Sequence, residues 1–158
     1  MKRMMMNAKI LIVLVSACLV IACSKDKFDT RPHLELINTN TNVIPATGSD
    51  LVFDFKFTDK EGDLQDSIFV RRVVGRSCSD TSYKKFVGFK IPNFLPQKNL
   101  EGEITFTIPY GGGYLTPCKL PSGAGFVNDT ATFRFFLRDA ARNTSDTVTS
   151  PTVIILRN

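Results

Sequence analysis

The chain has no tryptophan, a single histidine and no pair of cysteines at CxxC spacing. Each absence removes a class of protein. Without a Cys–Trp–Cys frame, the antibody type of immunoglobulin domain is excluded. His33, set in Arg31-Pro32-His33, leaves Ser-His-Asp or Cys-His catalysis little to draw on, and a zinc site lacks its ligands. GxSxG, HExxH and phosphate-binding loops are missing too, since Gly111-Gly112-Gly113 is followed neither by Lys-Ser/Thr nor by a helical pattern. The carboxylates gather in a turn instead of facing each other across a cleft, as glycoside hydrolysis would need. The expectation is a protein that is not an enzyme. Long apolar runs are equally scarce. One uncharged stretch of thirteen residues, 10–22, falls short of the roughly 20 that a membrane-spanning helix requires.

That stretch follows a basic start carrying Lys2, Arg3 and Lys9 and precedes a small residue and a cysteine, the order of a secretory signal. Val20-Ile21-Ala22-Cys23 resembles the lipobox of bacterial lipoproteins, which implies cleavage before Cys23 and a lipid on its sulfur. Val15-Ser16-Ala17-Cys18 also fits that pattern. Cutting there leaves about eight apolar residues in the signal and an apolar new terminus, so Cys23 is favoured. The expected organisation is a signal peptide at 1–22, a polar tether at 23–33 and one domain at 34–158. Removing the signal leaves seventeen basic against fifteen acidic residues, so the excess charge falls from +5 to +2. No basic run of nucleic-acid type remains. Arg71-Arg72 lies in a strand pattern, where a solvated face is expected.

From residue 34 onward the apolar residues recur at period two. In LVFDFKF (51–57), Leu51, Phe53, Phe55 and Phe57 share one face and Asp54 and Lys56 the other, an alternation that fits a half-buried strand. LELIN (34–38), SIFVRRVV (67–74), YKKFVGFKI (83–91), EITFTI (103–108), TFRFFLR (132–138) and TVIIL (152–156) complete seven candidates, separated by Gly, Pro, Asn, Asp and Ser. These predict an all-β, immunoglobulin-like antiparallel β-sandwich, with the thirteen phenylalanines as core filler. FKFTDKEGDLQDSIFV (55–70) is similar to a strand–acidic loop–strand of Bacteroidetes surface lipoproteins. FRFFLRDAARNTSDTVTSPTVII (133–155) resembles the last hairpin of bacterial immunoglobulin-like and fibronectin-type modules. Arg142 stands where that hairpin usually has glycine, which predicts a different backbone shape at the turn. The resemblance implies a fold and an address in the cell envelope, with no activity attached.

If all seven strands are antiparallel, the loops after the second, fourth and sixth lie at the end where the chain enters, and the other three at the far end. Cys78 and Cys118 then share the far end, and an oxidising compartment predicts a disulfide between them. Closing a loop of about 40 residues stabilises by roughly 4 kcal/mol in the chain-entropy account. At the entry end, Asp59, Glu61 and Asp63 surround Gly62, and the loop with Asp139 and Asp146 joins them there. Such oxygen ligands suit structural calcium, while turn geometry is the plainer explanation of the same residues.

The far-end segment YGGGYLTPCKLPSGAGFVN (110–128) is long and without period. It is either a loop that presents Tyr110 and Tyr114 to a ligand or a connection tacked down by the disulfide, its tyrosines lying on the sandwich. Asp66-Ser67-Ile68, Asp129-Thr130-Ala131 and Asp146-Thr147-Val148 resemble the O-glycosylation sequon of Bacteroides envelope proteins, which implies modification at Ser67, Thr130 and Thr147. The expected function is a lipid-anchored, non-catalytic binding or accessory module, with outer-membrane placement and a glycan or an envelope or host protein as ligand. A structural spacer or assembly subunit is the alternative.

Overall fold

The computed structural model describes residues 28–75, 85–116, 118–119 and 126–157, with the backbone alone at 118–119 and 126–127. In chain order the strands are β1 (His33–Thr39), β2 (Val43–Ile44), β3 (Leu51–Asp59), β4 (Ser67–Val74), β5 (Val87–Lys90) and β6 (Leu100–Ile108). They continue as β7 (Cys118–Lys119), β8 (Phe126–Val127), β9 (Asp129–Arg138), β10 (Val148–Thr149) and β11 (Val153–Ile155). One sheet has the order β1-β3-β6; a second runs β2-β11-β9-β4-β5, with β10 also on β9. All seven predicted strands are present. The architecture is the expected all-β sandwich.

Alternation builds its core. Leu51, Phe53 and Phe55 of β3 are fully buried, and so are Phe133, Phe135 and Leu137 of β9. The rings meet edge-on between the sheets: Phe53 and Phe55 lie 4.9 and 4.8 Å from Phe135, at 61° and 62°. Each such pair adds about 0.5–1.5 kcal/mol to what burial alone supplies. A second aromatic row covers the outer face, where Phe69 of β4 stacks on its cross-strand partner Phe136 at 4.6 Å and Arg138 lies over Phe69. Two strands at the edges of their sheets use one device. Gly102 of β6 and Gly88 of β5 stand directly opposite Phe57 and Phe69, and each ring occupies the space a Cβ would fill, 2.9 Å away.

Three features depart from expectation. The β2–β11 pair is parallel, because the chain leaves the first sheet after β1 and crosses to the second, where Ile154 and Leu156 donate to the carbonyls of Asn42 and Ile44. The last strand is split. Its pairing with β9 slips by one residue around Ser150-Pro151, and the Ser150 hydroxyl replaces a ladder acceptor by taking the Phe133 N–H at 2.9 Å. The segment after β6 is not structureless: it makes a 3-10 turn at Tyr110–Gly112, buries Leu115 completely and pairs β7 with β8.

The solvated face expected for Arg71-Arg72 holds for one residue of the two. Arg71 is half-buried, its guanidinium over the Phe86 ring. Arg72 follows Ile68 and Val70 on the inward face and is buried. It donates to Asp129 Oδ2 at 2.7 Å and to the carbonyls of Tyr114 and Thr116 at 2.9 and 2.8 Å, so it satisfies a buried carboxylate and fastens the segment after β6.

The predicted division of ends is observed for the described loops. The β3–β4, β5–β6 and β9–β10 loops gather at the chain-entry end: Asn99 N–H donates to the Lys60 carbonyl and Ala140 N–H to the Asp63 carbonyl. In the β9–β10 turn Arg142 takes φ 70°, the left-handed backbone that glycine favours, which a side chain adopts only at a cost.

Two stability measurements check these assignments by urea denaturation. Arg72→Met should destabilise by about 3–5 kcal/mol, since it leaves Asp129 buried and uncompensated, against less than about 1 kcal/mol for Arg71→Met. Arg142→Gly should stabilise by about 1 kcal/mol through relief of the left-handed strain.

Candidate functional site

Three carboxylates converge at the chain-entry end. Asp59 is the last residue of β3, Asp63 lies four residues on in the β3–β4 loop, and Asp139 directly follows β9. One oxygen from each lies within 4.8 Å of the other two. Asp59 and Asp139 are buried, at 0% and 1% exposure. Local geometry explains the convergence. Gly62 has φ 70°, and a Cβ there would strike the Gln97 carbonyl, so the loop must turn tightly under β5–β6 and brings Asp63 back on Asp59. On the other side Asn143 clamps Asp139, its backbone and side-chain N–H groups donating to the two carboxylate oxygens at 2.7 and 2.8 Å.

The electrostatics are one-sided. Asp63 N–H donates to Asp59 Oδ2 at 3.0 Å, but Asp59 Oδ1 and Asp63 Oδ1 are buried without a hydrogen-bond partner. Among the described residues no lysine or arginine pairs with any of the three. Burial pushes the Asp59 carboxyl up to about 6, with Asp63 and Asp139 adding repulsion against the backbone N–H groups that lower it. Three convergent oxygens with unused lone pairs can hold a hard cation.

Of the acidic residues predicted here, Asp59 and Asp63 belong to the cluster and Glu61 does not: it is exposed on the outside of the turn. Asp139 takes its place. Asp146 points away and pairs with Arg31 at 3.2 Å, exposed to solvent. Asp66 bonds Arg138, whose guanidinium holds that carboxyl below the usual range. The sequence carried no signal for the docking of the preceding segment. Lys60 and Asn143 donate to the carbonyls of Asp29 and Thr30, Arg31 Nε donates to the Thr144 carbonyl, and Pro32 is buried. His33 therefore opens β1 instead of closing a free tether.

At the opposite end the tyrosines are half-buried. The Tyr110 ring packs against Gly48, its hydroxyl donates to the Ala46 carbonyl at 3.3 Å and its N–H to Asp50 Oδ1. Tyr114 packs on the core, 6.4 Å from Phe89. Both tyrosines lie on the sandwich, the second of the two readings. Cys118 begins β7; Cys23 and Cys78 lie outside the described residues, as do the lipid site and the disulfide built on them. Ser67 opens β4 half-buried and bonds Asp66, while Thr130 of β9 and Thr147 before β10 are exposed. A feature absent from the sequence reading is an apolar cleft of about 460 Å³ between the edges of β5 and β6, walled by Phe57, Ile68, Phe89, Ile91 and Phe106. Phe89 of its wall is exposed, and Leu95, which follows the lining residue Phe94 in the chain, is exposed to 89%.

No protein-family model, curated protein or solved structure matches the chain.

The raised Asp59 carboxyl sets a pH dependence for the protein in chelator. The folded state holds its proton up to about pH 6 and the unfolded chain only to the ordinary 3.8, so stability should fall as pH rises from 4 to 6 and then level. Asp66 acts the other way, below that window. Asp59→Asn should flatten the 4–6 slope and add roughly 2 kcal/mol at pH 7.5, read by thermal unfolding at each pH.

Proposed function

We propose that this chain is a lipid-anchored, non-catalytic binding module of a bacterial cell envelope, held through Cys23 and resident in the outer membrane. The observation that carries the reading is the docking of Asp29–Arg31 onto the β3–β4 and β9–β10 loops at one end of the sandwich. Five residues separate Cys23 from Asp29, a reach of at most about 20 Å. An acylated Cys23 keeps the acidic end near the lipid and turns the β1–β2 and β6–β7 connections outward. Two or more acyl chains make such an attachment effectively permanent.

The choice of ligand follows from side-chain exposure. With Tyr110 and Tyr114 committed to the fold, a stacking platform for sugars is weakly supplied, and a protein is favoured over a glycan. Its contact surface is the cleft between β5 and β6, where Phe89 is an exposed apolar group. The same open edges favour an assembly subunit as the second reading, because unpaired strand edges accept further strands.

Palmitate labelling and membrane fractionation test the anchor: Cys23→Ala should lose both label and membrane attachment, and a label lost instead in Cys18→Ala would overturn the assignment. A photoreactive benzoylphenylalanine tests the surface in intact cells. Placed at position 89 it should give one adduct of defined mass with another protein, while the same group at Glu35 on β1 gives none. Equal yields at both positions would remove the cleft from the reading.

A further inference from the structure

We propose that Asp59, Asp63 and Asp139 form a calcium site that ties the β3–β4 and β9–β10 loops of the chain-entry end together. This goes beyond the reading of the chain as a binding module and stands whether or not that reading does.

The cluster alone would be unremarkable, since acidic turns are common on protein surfaces. Its partnering sets it apart. Asp59 has no exposed surface, its Oδ1 accepts no hydrogen bond, and its carboxylate converges with those of Asp63 and Asp139. Asp63 Oδ1 is likewise buried and unpartnered. A buried carboxylate oxygen left in that state costs several times what an ordinary hydrogen bond contributes, and native folds nearly always provide a partner. The other oxygens are held by protein donors: Asp59 Oδ2 by the Asp63 N–H, and both oxygens of Asp139 by Asn143. Hydrogen bonds that orient ligating carboxylates from behind are the usual second layer of a metal site.

The chemistry selects the ion. Three carboxylates are hard oxygen donors, without the sulfur or imidazole that would draw zinc or copper. Two of them are buried at the junction of three loops, which leaves little room for the several waters that magnesium retains. Calcium takes six to eight oxygens in flexible geometry and releases its water more readily. Because the donors come from β3, the β3–β4 loop and the start of the β9–β10 loop, one ion would join segments about eighty residues apart in sequence. Lys60 and Asn143, whose N–H groups hold the carbonyls of Asp29 and Thr30, sit in the same two loops. Calcium should therefore also order the segment that leads into β1.

The test uses the full chain in detergent, stripped with EGTA and titrated with calcium chloride by calorimetry. One ion should bind per chain, and the melting temperature should rise by several degrees in millimolar calcium and return with EGTA. Asp59→Asn and Asp139→Asn should each weaken binding at least tenfold, while Glu61→Gln, on the same turn but outside the cluster, leaves it unchanged. Far-ultraviolet circular dichroism of each variant confirms that it is folded. Hydrogen exchange at Asp29–His33 should slow on adding calcium. Absence of calcium binding by the wild-type chain at millimolar concentration would overturn the proposal. So would wild-type affinity in both Asp→Asn variants, or an equal response to magnesium.

Discussion

The sandwich depends on four rings. Phe53 and Phe55 from one sheet and Phe133 and Phe135 from the other meet with centroids between 4.8 and 5.6 Å, all four completely buried. These contacts are the means by which two sheets without a tryptophan, and with few helix-forming residues, hold a common core. They also dictate register. A slip of one residue in β3 would turn Phe53 and Phe55 to solvent and bring Asp54 and Lys56 inside. A slip in β9 would do the same for Phe133 and Phe135 against Arg134 and Arg138. Phe135 reaches on to Phe106, and Phe106 to Phe89, so the aromatic contact runs unbroken from the centre to the rim of the cleft between β5 and β6. Core and cleft are one apolar system, closed on the β11 side and open on the β5 side.

The ends of the sandwich solve the problem of buried charge in opposite ways. At one end Asp129 accepts from the Arg72 guanidinium and from the Thr130 N–H, so a carboxylate removed from water has a donor on each oxygen, one of them a cation. Arg72 also donates to two loop carbonyls. At the other end Asp59, Asp63 and Asp139 share one space and, among the described residues, no cationic side chain. A fold that can bring an arginine to one buried carboxylate is under no steric compulsion to leave three others without one. The asymmetry is built into the strands. Arg72 stands on the inward face of β4, where an apolar residue would maintain the alternation, and interrupts the pattern for the benefit of Asp129. Nothing comparable interrupts β3 or β9 beside Asp59 and Asp139.

How much of this the sequence discloses follows from the range of each interaction. Alternation along a strand is local, and all seven long strands and the inward phenylalanines could be read from it. Strand parity is nearly as local, and it carried Asp139 to the same end as Asp59 and Asp63. What escaped reading depends on pairing between distant segments. Arg72 looked solvated because its partner, Asp129, lies 57 residues on and itself resembled turn chemistry. Glu61 and Asp63 were indistinguishable as ligands, because Gly62 decides between them through a backbone turn set by the carbonyl of Gln97. Tyr110 could project or lie on the sandwich, and Gly48 decides between them by opening the space into which its ring folds. The parallel placement of β2 had no sequence signal beyond two residues of apolar chain.

The two ends differ in mechanical character, and this bears on what each can do. The chain-entry end is cross-tied by backbone hydrogen bonds between β3–β4 and each of the other two loops, and by the docked segment before β1. Such ties cost little to satisfy and allow little movement, so that end suits a fixed orientation. The opposite end relies on side chains: Arg72 on the carbonyls of Tyr114 and Thr116, Asp50 on the Tyr110 N–H, and the Tyr110 hydroxyl on Ala46. Side-chain ties can exchange one partner for another without unmaking a strand, since the ladders of β4 and β9 continue beneath them. The proposed anchoring at Cys23 would draw on that division. An end beside the tether that resists rotation would give the opposite face a defined direction. A face that met a partner would benefit from contacts that can be remade. The open edge between β5 and β6 lies between the two, rigid in its strands and apolar in its wall, and it can be covered without disturbing either end.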